Sequence, residues 1–153
     1  MAWSHIVELL QPVLGVLVLA HVLAAAVIDA RSRRFPNALA CSFALCCALF
    51  SISLGGVEHL LVCGVQAVIC CAALVGCELL WRRTHDGDTG LGMGDIKFLA
   101  ASMLISPLGA LLSFSFGLMA LALVGVLWKK HSLPLLPFVA SSMAVLFFVS
   151  NVA

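Results

Sequence analysis

The sequence predicts an all-α, polytopic membrane protein of about six transmembrane helices, and three observations carry the prediction. Of its 153 residues, 63% are hydrophobic and only 10% charged, with a mean hydropathy of +1.19. An ordinary soluble domain is about 45–50% apolar and about 25% charged, and a chain this small has too much surface for its volume to hide the excess in a soluble core. The apolar residues also gather into runs of helix-spanning length, and the basic residues gather between alternate runs.

A spanning helix needs about 20 apolar residues. Residues 12–28 supply the first candidate. They are read as a retained helix rather than a secretory signal, because residues 1–10 hold no Lys or Arg and carry Glu8. The second candidate, 38–54, ends at Gly55-Gly56, and the third covers 57–81. The run 96–128 would measure about 50 Å as one helix against a hydrocarbon core of about 30 Å. Pro107 and Gly109 break its first half, so it is divided into 96–106 and 108–128. The last candidate is 135–149. From Ile96 alone the fourth helix is too short to cross, so either it starts earlier or its entrance is recessed in a water-filled hollow.

Charge fixes the expected topology. Arg31, Arg33 and Arg34 follow the first span, Arg82, Arg83 and Lys97 lie around the loop after the third, and Lys129 and Lys130 follow the fifth. Six spans place all eight basic residues on one side, which the positive-inside rule makes cytoplasmic. Both termini are then extracytoplasmic, together with Glu8 and Glu58. The whole of 1–153 reads as one membrane-embedded domain, multi-pass in a cytoplasmic membrane. Lipid is its surrounding partner. A net charge of +1 gives no reason to expect nucleic acid.

Several residues have a plain packing reading. The seven cysteines fall inside apolar segments without a C-x-x-C pair, so neither a metal site nor a disulfide framework is expected. No cofactor is implied. His21 lies two turns before Asp29 on one helix face and is read as a hydrogen-bonded packing residue rather than a proton relay. Glu78 and Arg82 have ion-pair spacing, and Gln66 is expected to bond another helix. "HDGDTG" (85–90) lacks the spacing of a calcium loop and is read as solvated, although Asp86 and Asp88 could attract a basic peptide.

Two aspartates resist that treatment. Asp29 closes the first span and Asp95, in "LGMGDIKFLA", opens the fourth; the topology puts both at the cytoplasmic ends of their helices. Ionisable groups at such depth are costly and usually functional. Two carboxyls brought together share a proton, so one can deprotonate water while the other donates to a carbonyl oxygen. Their helix ends suggest Asp95 as the ionised base, at an N-terminus, and Asp29 as the protonated acid, at a C-terminus. Gly90, Gly92 and Gly94 would allow close backbone approach or positive φ beside an extended substrate.

"GLGMGDIKFLA" resembles the second catalytic motif of the GxGD membrane aspartyl proteases in the form found in type IV prepilin peptidases. "IDARSRRFPN" (28–37) resembles their first motif, and "LPLLPFVA" (133–140) resembles the Pro-rich segment before their last helix. The resemblance implies catalytic aspartates at Asp29 and Asp95, with Gly92, Gly94 and Lys97 on the second motif, Pro36 and Asn37 on the first, and Pro137 on the third. It implies an enzyme that cuts the short basic leader from prepilins or pseudopilins at the cytoplasmic face. Longer relatives carry a zinc-binding C-x-x-C domain associated with N-methylation. Its lack here leads to an expectation of cleavage without methylation, as in the short peptidases of Flp-type (tight-adherence) pili; short archaeal preflagellin peptidases are similar. Leu136 stands where the family often has part of a Phe-Gly pair. A presenilin-type protease shares the GxGD logic, but the chain is short for one and Asp29 lacks that group's preceding Tyr. From other classes, a small transporter or proton channel would use Asp29 and Asp95 as ion sites, and a scaffold would tolerate Asp→Asn changes. The oligomeric state is not legible.

Overall fold

The computed structural model describes the backbone of residues 2–33, 35–85, 92–128 and 134–152, with side chains from 10 to 146 except within the gaps. Five helical elements follow in order: α1 (Ala2–Ser32), α2 (Asn37–Thr84), α3 (Met93–Met103), α4 (Pro107–Trp128) and α5 (Leu136–Val152). No strand occurs among the described residues. The all-helical prediction holds.

The helix boundaries have local causes. At the end of α1, Arg33 takes φ 50° and its N–H donates to the Asp29 carbonyl at 2.9 Å, a left-handed stop. Pro36 then caps α2 at φ −62°, ψ 140°, and its carbonyl accepts from the Ala40 amide at 3.0 Å. The 48 residues of α2 are two arms, 37–54 and 57–84, broken where the sequence puts Gly55-Gly56. Gly56 has φ 72°, which a side chain would resist, and Ser51 and His59 share a 2.9 Å hydrogen bond across the break. At the predicted break before α4, the Ser106 hydroxyl accepts from the Gly109 amide at 3.2 Å, a side-chain N-cap ahead of Pro107.

Each helix packs on the next, and α5 returns against α1, so the bundle closes on itself. One face of α1 (Leu14, Val18, Val22, Ala25) meets Phe43, Cys47 and Phe50 of α2 and Phe98 and Leu99 of α3 in the core. The close fit of α4 to α5 needs Gly117, where a Cβ would come within 2.8 Å of the Val139 Cα.

Among the described residues, three helices are long and apolar enough to cross a membrane: Leu10–Ser32, Asn37–Thr84 and Pro107–Trp128. Their outward faces are apolar, with Val16, Leu61, Val68 and Met119 all well exposed, as a lipid solvent permits. The six predicted segments correspond to α1, the two arms of α2, α3, α4 and α5. The fourth starts earlier than expected, at Met93, but also ends earlier, at Met103. Its 11 residues make about 16 Å, half a hydrocarbon core.

Candidate active site

Asp95 is the third residue of α3, outside the three long spans. Its carboxylate folds back over Gly92, where an added Cβ would lie 2.8 Å from Oδ2. That explains the first glycine of the motif. The second, Gly94, lets α3 lie against the loop before α2, since a Cβ there would come within 2.9 Å of the Phe35 Cβ. Neither glycine needs an unusual backbone, because Gly92 has φ −67° and Gly56 alone among the described glycines has positive φ. Close approach is the requirement, and positive φ is not. Gly90 lies outside the described residues, as do Arg34, Asp86, Asp88, Lys129 and Lys130.

The start of α3 is then tied to the start of α2. The Lys97 ammonium donates to the Asn37 Oδ1 at 2.7 Å. Two residues from the second motif and the first thus meet across 60 positions of sequence, with Pro36 setting the direction in which α2 leaves. Deeper in, Phe98 stacks on Phe43 with ring centres 5.0 Å apart and meets Phe35 edge-on at 6.1 Å. His21 continues the stack against Phe43 at 6.3 Å, and its Nδ1 bonds the Leu17 carbonyl at 2.8 Å. It is the packing histidine that the sequence suggested.

Asp29 reaches the site from the last turn of α1. Its Oδ2 accepts the Leu136 amide at 3.1 Å, from the first residue of α5. Pro137 follows in that same first turn, where its missing N–H costs nothing. The four elements α1, α2, α3 and α5 therefore converge around two carboxyls. Burial first, and the negative charge of Asp29 second, push Asp95 up to about 6, against a hydrogen bond from the Gly92 backbone that acts the other way. At Asp95 desolvation and the neighbouring charge outweigh the helix N-terminus, which by itself would favour the ionised form.

Other residues are placed more simply. Glu78 and Arg82 form the predicted ion pair at 2.8 Å, with the Glu78 side chain buried. Gln66 is exposed on α2 instead of bonding another helix. Of the cysteines, Cys47 and Cys63 are buried, whereas Cys41 and Cys77 are exposed. A groove of about 630 Å³ opens beside the Lys97–Asn37 pair, lined by small residues such as Ala40, Ala44, Gly64 and Ala101. A cavity of about 490 Å³ near Gln11, Ser102 and Ser113 lies away from both aspartates.

The sequence reading missed Phe35 and the Leu136 amide. Pro137 was the available signal for the latter, because a proline in a first turn marks a helix N-terminus and hence free N–H groups.

A sequence profile of the type IV leader peptidase family matches residues 16–149, a stretch that includes every residue of this site. No curated protein and no solved structure matches the chain.

Proposed function

Since the chain belongs to the type IV leader peptidase family, we propose that it is a membrane aspartic endopeptidase in which Asp29 and Asp95 activate a water. The substrate is a prepilin or pseudopilin, cut between its short basic leader and an apolar segment that lies in the bilayer. The observation that carries this reading is the meeting of the motif segments, α3 tied to α2 through Lys97 and Asn37 and Asp29 bonded to the start of α5, with Asp29 near enough for its charge to raise Asp95. A carboxyl raised by burial and by a second carboxyl is a frequent mark of a functional site.

The chemistry needs one proton on the pair, and we assign it to Asp95, whose hold on a proton is raised. Asp29, ionised, takes a proton from a water placed between the carboxyls, and the hydroxide adds to the scissile carbonyl carbon. Asp95, protonated, donates to the carbonyl oxygen as it gains charge. The resulting gem-diol collapses when Asp29 returns its proton to the leaving amine and a diol hydroxyl returns one to Asp95. Both carboxyls then stand as they began, and one water has been consumed. Neither a nucleophilic side chain nor a metal enters any step.

The topology expected from the basic residues is consistent with this reading. With six crossings of a cytoplasmic membrane, the described basic residues Arg31, Arg33, Arg82, Arg83 and Lys97 share the cytoplasmic side with Asp29 and Asp95. The scissile bond, at the boundary between leader and apolar segment, then lies at the depth of the two carboxyls.

Co-expression with a panel of prepilins, read by the gel shift of leader loss, tests the proposal. Wild type should cleave, and Asp29→Asn and Asp95→Asn should each lose at least about 10²-fold of the rate at equal protein level. Normal cleavage by either variant would remove the two-aspartate mechanism.

A further inference from the structure

The first turn of α5 supplies a backbone group to the site. We infer that the Leu136 amide is a positioning group for Asp29, holding the Oδ2 oxygen so that Oδ1 is left free for the attacking water. The inference rests on the proposed aspartic peptidase reading and adds a third participant to it.

Two unmet needs of the fold are joined in this contact. Asp29 sits in the last turn of α1, where the carbonyl end of the helix opposes a negative charge. Leu136 is the first residue of α5, so its N–H has no acceptor within its own helix. The carbonyls that open α5 serve other amides: the Leu135 oxygen accepts from Phe138 at 3.0 Å and Val139 at 3.2 Å. Leu135 and Leu136 are 8% and 1% exposed, so water cannot replace the missing acceptor. A buried amide without a partner is rare. Asp29 therefore caps α5 from a different helix, at 3.1 Å and 107 residues away.

The geometry has a catalytic consequence. A carboxyl on an unbranched side chain turns freely about its last bond unless one oxygen is held. The bond to Leu136 fixes that rotation, and α1 fixes the backbone through the Arg33 amide on the Asp29 carbonyl at 2.9 Å. Asp29 is thus held at both its main chain and its side chain. The contact also accounts for the sequence departure at position 136. The interacting group is the main-chain N–H, which every residue but proline provides, so the side chain there is free to vary.

Proline also makes the test. Leu136→Ala and Leu136→Pro both remove the buried leucine side chain, but only the second removes the N–H. Position 136 opens the helix, where proline is well tolerated. Purified full-length enzyme in lipid vesicles is compared on one prepilin. The expected result is a kcat at least about tenfold lower for Leu136→Pro than for Leu136→Ala, with similar KM, as the loss of one charge-assisted hydrogen bond implies. Equal kcat in the two variants, or a KM change that accounts for the whole difference, would overturn the inference. The second measurement leaves residue 136 intact. In leucine-labelled protein the Leu136 amide proton should resonate downfield and protected from exchange, and Asp29→Ala should abolish both. An unchanged resonance in Asp29→Ala would overturn the contact even if the enzyme reading stands. Cleavage by Asp29→Asn would overturn the enzyme reading while leaving the amide result to stand by itself.

Discussion

Lys97 and Asn37 are joined by a 2.7 Å hydrogen bond from ammonium to amide oxygen. The bond ties the first turn of α3 to the first residue of α2, and with it sets where Asp95, two residues before Lys97, can stand. Because both side chains are exposed, the bond is worth modest stability but fixes position. A double-mutant cycle on Lys97→Ala and Asn37→Ala should give a coupling of about 0.5–1 kcal/mol in thermal unfolding in detergent. Each single variant should lower cleavage to the level of the double. Strictly additive losses would show that the pair does not act as a unit.

The two motif glycines should fail in different ways. A methyl group at position 92 meets the far end of a side chain, the Asp95 Oδ2. That carboxyl can turn aside, so Gly92→Ala should keep its melting temperature and lose about 10²-fold in kcat through the displaced oxygen. At position 94 the obstacle is the Cβ of Phe35, with the Phe35 backbone close behind. Gly94→Ala should therefore cost about 1–3 kcal/mol of stability. Phe35→Gly should relieve that clash while Phe35→Ala should not, because alanine keeps the Cβ. Melting curves for the four proteins decide the matter.

Asp95 should make the fold sensitive to pH in a defined direction. Its carboxyl is raised from 3.8 to about 6, so the folded protein binds the proton more tightly than the unfolded chain. Stability then falls as pH rises between these two values and levels off above about 6. Asp95→Asn removes the penalty. Relative to wild type, its melting temperature should rise with pH over that window and stay constant beyond it. Asp29→Asn should narrow the window, since it deletes the second cause of the shift and leaves burial. A pH-independent difference between wild type and Asp95→Asn would contradict the raised pKa of Asp95.

The residues that the sequence made conspicuous were those whose chemistry is local. Asp95 among glycines, Asp29 at the end of an apolar run, Gly55-Gly56 between two runs and Pro107 inside a third all announce themselves by composition. Each marks a boundary or a charge where the structure has one. Phe35 gave no such sign, and Leu136 only the indirect one of Pro137 beside it. Phe35 acts through where its Cβ happens to lie, and Leu136 acts through a main-chain N–H that is identical in every residue but proline.

The sequence by itself determined the membrane class, the helical segments and the identity of the two carboxyls. Burial in lipid, helix periodicity and the cost of an interfacial charge are all properties of composition along a line. The surroundings of Asp95 were decided by the tertiary structure. A helix N-terminus favours a charged Asp95, yet the fold half-buries Asp95 near the charge of Asp29 and sets Asp29 against the open end of α5. A pKa is fixed by the solvent and charges around a group, and for Asp95 the neighbouring charge comes from another helix.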